Sequence, residues 1–503
     1  MEPALKSDSS QLRSWEQGGL NWTARQDLAE AVNSGRLDEA RRRPLRRLPG
    51  RLVESVDLPV EGAEGLVLKT WSPGGLRVLR AAAGVHPAQR EWRNLLRARR
   101  SGLPVPAALG LALGKRGEAV LVTARARGED LGIVWRDCAK GRLDPRPLAD
   151  ELGRFLRMLH DRGVQHRDLH PGNLLRIHDA PNPFLLLDAG SLRLGRALTR
   201  SRRVKSLANL NLFFFLRAPA HLRLRFLRSY APGSDRAALR RLARAVEAET
   251  HAQATRRWQK ALARCRGENR IFRRFTSGGW KGYARRGPPA QALESALESV
   301  HRGQGRVVKD SRGARSTLFR PPGAEEEAFC KLTRPRSLAE ALRRCFLRPR
   351  ALRSWEISHA LGLRLLPTPR ALLACRESRL SGRSLFCAEA VEDARTLDRA
   401  LGAMEEPDRR TLLHRLGTLI RRMHDRGVSH RDLKAPNLLV RPGGDILVCD
   451  LDGAAVHRRV NERKRKRDRE RLTRSLCRDC DAGPGDLHAF LDGYGLSARE
   501  EGR

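Results

Sequence analysis

A long internal repeat constrains this chain more than any other feature. Residues 160–175 read HDRGVQHRDLHPGNLL and residues 424–439 read HDRGVSHRDLKAPNLL, identical at twelve of sixteen positions at an offset of 264. The offset persists on either side. Pro104 and Pro106 match Pro367 and Pro369, Lys69 matches Lys331, Glu91 is set against Glu356, and Asp188 matches Asp450. A near-constant spacing over so long a stretch means two copies of one domain. The expected division is a polar, helical lead-in over 1–45, a first domain over 46–287, a linker over 288–304 opening at Gly287-Pro288-Pro289, and a second domain over 305–503.

Hydrophobic spacing places the repeated residues on elements. Leu66-Val67-Leu68 reads as a strand ending at Lys69, and the segment around Glu91, about 87–100, reads as a helix. Segments 148–163 and 408–427 carry apolar residues three and four apart, and each runs into an HRD loop. Leu185–Leu187 and Ile446–Val448 read as short buried strands delivering Asp188 and Asp450. Mixed strands and helices in each copy predict an α+β fold.

These residue types suit phosphoryl transfer, which is mostly positioning and charge neutralisation. The chemistry needs a cation on the phosphates, an acid to hold that cation, a carboxylate at the acceptor hydroxyl, and oxygen ligands for Mg²⁺. In the first copy the candidates are Lys69 and Glu91 at the nucleotide, Asp168 as the catalytic carboxylate, and Asn173 and Asp188 as metal ligands. In the second they are Lys331, Glu356, Asp432, Asn437 and Asp450. The expected cofactors are therefore ATP and Mg²⁺. His166 and His430 read as loop-fixing residues, and Lys434, with His170 in its place in the first copy, as a neighbour of the transferred phosphate.

HRDLxxxN twice, each followed by an apolar strand ending in Asp and preceded by a strand Lys, resembles the protein-kinase superfamily. That resemblance implies two tandem bilobal domains, each with a β-rich N-lobe and a helical C-lobe. Two departures stand out. No G-x-G-x-x-G precedes either lysine, the nearest turns being Val60-Glu61-Gly62 and Asp310-Ser311-Arg312-Gly313, and no D-F-G…A-P-E segment follows either metal Asp.

With REWRNLLRARRSGLPVPAALG, MLHDRGVQHRDLHPGNLL and VCDLDGA followed by a basic helix, the chain resembles the bacterial lipopolysaccharide core kinases, the Kdo/WaaP or InaA-like family. The resemblance implies ATP-dependent phosphorylation of a heptose or Kdo hydroxyl in the lipopolysaccharide inner core. It also implies a cytoplasmic location, peripheral at the inner face of the inner membrane. The rival reading is an atypical protein serine/threonine kinase, since HRDLKAPN is the form such enzymes use.

Composition bears on partners. Lys plus Arg number 99 against 57 acids, a formal net charge of +42, which favours anionic partners. An anionic glycolipid and an anionic membrane surface fit; nucleic acid is not the expected partner, because no recognition motif accompanies the charge. The run Arg463–Arg471 reads first as a solvated helix face and second as a contact for lipid phosphates. Nine scattered cysteines suggest a reduced compartment, and the C-x-x-C pair Cys477 and Cys480 lacks the second pair that a zinc site needs. The opening MEPALKSDSSQLRS shows no signal pattern, and the apolar stretch Leu210–Leu216 is too short to span a bilayer.

Overall fold

The structure, a computed structural model, describes residues 12–74, 78–80, 83–177, 182–295, 297–378 and 381–496. The chain divides into two compact units, one ending at Ala254 and one beginning at Thr255.

The N-lobe of the first unit is a seven-stranded antiparallel sheet. Its strands are β1 (Leu12–Gln17), β2 (Leu20–Arg25), β3 (Arg42–Leu48), β4 (Arg51–Val56), β5 (Leu66–Trp71), β6 (Ala108–Gly114) and β7 (Ala119–Ala124). Their order is β1-β2-β6-β7-β5-β4-β3. Side chains alternate across a strand, so β5 serves two faces. Leu66 and Leu68 pack under the helix Gln26–Asn33 through Leu28, Ala31 and Val32. Lys69 and Trp71 take the other parity, where Trp71 joins Ala88, Trp92 and Leu95 of the helix Pro87–Arg100. This parity turns Lys69 towards Glu91.

The second unit repeats the plan. Its sheet runs Phe272–Ser277, Trp280–Arg285, Ala371–Arg376, Ser384–Glu389, Ala328–Thr333, Ala314–Phe319, Arg306–Ser311, again seven strands. The duplication is therefore longer than the motifs indicate, and three expected segments are corrected. Residues 12–25 are not a helical lead-in: they form the hairpin that opens the first sheet, turning at Gly18 and Gly19, both at positive φ. Residues 272–285, assigned by sequence to the first domain, are the matching hairpin of the second unit, turning at Gly278 and Gly279. Nor is 288–304 a linker. It holds the helices Pro288–Ser295 and Leu297–His301, whose Leu293, Leu297 and Val300 are buried against Cys330 and Leu332 of the second sheet. Residues 1–11 of the expected lead-in lie outside the described residues.

The C-lobes are helical. The helix Pro145–Asp161 buries Leu148, Leu152, Phe155, Leu156 and Leu159, the stripe expected from its 3–4 spacing. It packs on the helix Ala220–Tyr230 so closely that a Cβ at Gly153 would strike the Phe226 carbonyl. The counterpart is Glu406–Asp425 on Pro484–Tyr494, where Gly417 gives the same clearance at Phe490. Leu210 is buried within the helix Arg200–Phe214, and no helix among the described residues is long and apolar enough to cross a membrane.

Candidate active site

In each unit a short hairpin and a two-stranded ribbon frame the HRD loop. Val164–His166 pairs with Leu192–Leu194, and Leu174–Arg176 with Phe184–Leu186. The chain then turns at Asp188, which holds φ at 52°, a left-handed conformation costly for a non-glycine residue. Asp450 repeats it at 47°. The same local strain at both metal-ligand candidates is a feature of the site, since only surrounding contacts sustain it. In the first unit Asn94 supplies some of them, donating to the carbonyls of Ala189 (2.8 Å) and Leu192 (3.2 Å).

The first unit joins its predicted residues into one set. Lys69 Nζ lies 2.5 Å from Glu91 Oε1, with Glu91 buried. Gly190 sits between Glu91 and Asp188: a Cβ there would be 3.6 Å from Glu91 Oε2 and 3.7 Å from Asp188 Oδ1. Asn173 donates its side-chain amide to the Asp168 carbonyl at 2.8 Å, and its own carbonyl accepts from the Leu187 amide at 2.9 Å. Asp168 is more than half exposed, with His170 Nε2 at 3.7 Å. His166 donates to the Leu187 carbonyl at 3.0 Å, and burial holds its pKa below the ordinary value. It braces the loop, as its position in the motif predicts.

The second unit brings together Lys331, Asp432, Asn437 and Asp450, but not Glu356 beside the lysine. Glu356 instead pairs with Arg266 at 2.5 Å and with Arg348. Lys331 Nζ binds Asp450 Oδ1 at 2.5 Å and Asp452 Oδ2 at 3.0 Å. The correction has a simple origin. Aligning Trp92 with Trp355 and Leu103 with Leu366, both at an offset of 263, sets Ser354 opposite Glu91; Glu356 lies two residues further along the helix Arg350–Leu363. Meanwhile Asp452 stands where the first unit has Gly190. Two positions have exchanged character: acid on the helix and glycine on the turn in one unit, serine on the helix and acid on the turn in the other. Ser354 Oγ donates to Asp452 Oδ1 at 2.7 Å, and Arg353 donates to its carbonyl.

The electrostatics follow. Burial works against the Lys331 ammonium, but Asp452 and then Asp450 outweigh it, and its pKa is raised. Burial pushes Asp452 upwards, yet the Lys331 charge and the Ser354 hydrogen bond hold it below the usual carboxylate value. At Asp432 burial is likewise overcome, by Lys434 at 2.8 Å and by Asn437 at 3.1 Å, and the pKa falls. Asp432 is thus an ionised acceptor at neutral pH.

One further residue escaped sequence reading. Asp468, inside the basic run Arg463–Arg471, is buried. Its Oδ2 accepts from the His430 backbone N–H at 2.8 Å and lies 3.2 Å from His424 Nε2. Arg469 is also buried, over the Tyr494 ring at 4.8 Å, so the run is not wholly a solvated face. The clue available was its place one helical turn after Lys464, one of two acids, with Glu470, among seven cations. In the first unit Ser206 holds the equivalent place, 2.9 Å from His160 Nε2.

Lys331, Asp432, Asp450 and Asp452 line one cleft of about 860 Å³. Ten arginines and Lys331 line it against four acids among the described residues, a lining that favours an anionic occupant. Arg376 and Arg383 come from the sheet side, and Arg431, Arg467 and Arg471 from the helical side.

A lysine-bearing sheet, an HRD loop and a turn presenting an aspartate, twice over, define two tandem protein-kinase-like bilobal domains. The model of the Lipopolysaccharide kinase (Kdo/WaaP) family matches residues 76–223 and 298–494. The chain belongs to that family. It is similar to the 3-deoxy-D-manno-octulosonic acid kinase of Xanthomonas oryzae pv. oryzae strain PXO99A, 38% identical over 133 residues, 26% of this chain and 51% of the relative. The enzyme of the same name from Xylella fastidiosa strain M12 is 30% identical over 157 residues, 30% of this chain and 61% of the relative. The chain thus spans about half the length of the curated relatives it matches. Among solved structures, the Cydia pomonella granulovirus kinase PK-1 is 16% identical with a TM-score of 0.23, covering 33% of this chain and 58% of that one; at that score the likeness adds nothing to the fold.

Proposed function

We propose that the chain transfers the γ-phosphoryl group of ATP to a Kdo or heptose hydroxyl of the lipopolysaccharide inner core, at the cytoplasmic face of the inner membrane. The observation that carries this reading is the Lys69–Glu91 pair at 2.5 Å, with Gly190 between Glu91 and Asp188 and with Asn173 bonded to Asp168. The family and the named activity of the relatives support the acceptor class.

The chain's own residues supply the positioning. Lys69, held by Glu91, meets the nucleotide phosphates. Asp168 accepts a hydrogen bond from the acceptor hydroxyl. As the new P–O bond forms, the bond to the β–γ bridging oxygen breaks, ADP departs, and the hydroxyl proton passes to the Asp168 carboxylate. Lys331, Asp452 and Asp432 play these parts in the second unit, where Lys434 balances the Asp432 charge.

The donor set suits Mg²⁺, a hard cation that takes oxygen ligands. With its NH₂ group tied to the Asp168 carbonyl, Asn173 turns its amide oxygen the other way, and Asn437 does the same against Asp432. Asn173 with Asp188, and Asn437 with Asp450, would hold the ion, which supplies charge neutralisation on the phosphates.

Mass spectrometry of lipid A–core from cells with and without the gene tests the acceptor. A phosphate missing from one inner-core sugar is expected. An unchanged core, together with peptide phosphorylation by the purified chain, overturns the reading in favour of a protein kinase.

A further inference from the structure

The helix Leu338–Phe346 is built inside out. A surface helix ordinarily buries its apolar stripe and exposes its polar one. Here Glu340 and Arg344 form a 2.7 Å pair with side chains only 16% and 12% exposed. Arg344 also donates to the Gly382 carbonyl at 3.3 Å, so the polar side faces the protein. Leu338, Leu342 and Phe346, spaced four apart on one face, are 86%, 64% and 90% exposed, and Leu347 continues them at 56%. No fold requirement explains an apolar stripe turned to water beside a charged cleft.

We propose that this helix is a membrane-docking element, which lays its apolar stripe into the headgroup region of an anionic bilayer. Its nine residues are too few to span a bilayer but suit an in-plane anchor. Charge selects the occupant. Arg343 is exposed on the same helix, Arg348 and Arg350 follow directly, and the arginine-lined cleft opens alongside. Cations flanking an apolar stripe match an anionic lipid surface. A second copy of a chain with net charge +42 would set the same arginines against each other. Docking there brings the cleft of the second unit to the bilayer surface, where a lipid-anchored anionic acceptor is presented.

The test uses the full chain with neither ATP nor lipopolysaccharide, so its outcome is separate from that of the acceptor assignment. Co-sedimentation with phosphatidylcholine vesicles, with and without phosphatidylglycerol, reads binding directly. The native chain binds the anionic vesicles. A Leu342→Gln/Phe346→Gln variant, altered only at exposed positions and melting as the native chain does, binds them at least about tenfold more weakly. Phe346→Trp adds a second readout: its fluorescence is quenched by bromine-labelled acyl chains. Undiminished vesicle binding by the double variant overturns the proposal, because the basic surface alone would then account for it. So does absence of quenching, or a dimer of the native chain that the double variant dissociates while vesicle binding is unchanged.

Discussion

In the first unit the strand lysine is met by Glu91 from the helix Pro87–Arg100, while Asp188 accepts from Ser191 at 3.1 Å. In the second unit Asp452 comes from the turn after Asp450, Ser354 takes the helix position, and Lys331 also holds Asp450. The lysine finds a carboxylate either way. Each ammonium has an acid within reach, but the two acids come from different places in the chain. The two aspartates also differ in their contacts: among the described residues the Asp188 carboxylate accepts from the neutral Ser191 hydroxyl, whereas Asp450 lies 2.5 Å from the Lys331 ammonium.

The largest expected effect separates the units as catalysts. Asp168→Asn and Asp432→Asn each remove the carboxylate proposed to receive the hydroxyl proton, and each is expected to lower turnover at its own site by about 10²–10⁴. Steady-state assays of the two single variants and the double variant check this; a single variant at native turnover removes its unit from the reaction.

Acid sensitivity probes His160, behind the first HRD loop. His160 sits between the Tyr230 hydroxyl and Ser206, and burial lowers its pKa from 6.5 to about 4. The unfolded chain therefore binds the proton more readily. Stability from this group is full above pH 6.5 and is lost as pH falls towards 4, by about 3 kcal/mol. Denaturant melts across that range measure the slope, which His160→Gln flattens.

The exchanged acids give a sharper test. Glu91→Gln and Asp452→Asn each lower turnover of their own unit by about tenfold to a hundredfold through loss of lysine placement. Glu356→Gln leaves nucleotide use unchanged. Glu91→Ser combined with Gly190→Asp copies the second unit's arrangement into the first and recovers part of what Glu91→Ser loses, because a Cβ at 190 meets only ordinary contacts. Activity of Glu356→Gln falling as far as that of Asp452→Asn breaks the comparison.

Smaller effects are expected at the helix behind the loop. Asp468→Ala strands the His430 N–H and a His424 nitrogen and costs up to ~3 kcal/mol, while Ser206→Ala removes one neutral bond and costs ~1 kcal/mol. Melts of the two variants rank them.

Much of this site is legible in the sequence because its residues sit at fixed distances within continuous segments. HRDLxxxN carries Asp168 and Asn173 in one loop, and alternation along Leu66–Trp71 is enough to send Lys69 to the correct face of the sheet. The lysine's partner is another matter. It arrives across sequence, so Glu356, near the right spacing and on the right helix, is a decoy answered by Arg266 and Arg348. Asp452 is visible in VCDLDGA, but only the packing reveals that Lys331 reaches it. The hairpins at 12–25 and 272–285 share little beyond Gly-Gly turns and a closing Ala-Arg, too faint a likeness to mark the start of a repeat. Asp468 is hidden by its charged neighbours.

Calorimetric titration of the full chain with a non-hydrolysable ATP analogue and Mg²⁺ addresses the two sites together. Two molar equivalents are predicted, the tighter lost in Lys69→Ala and the weaker in Lys331→Ala. A single equivalent that survives both substitutions contradicts the account.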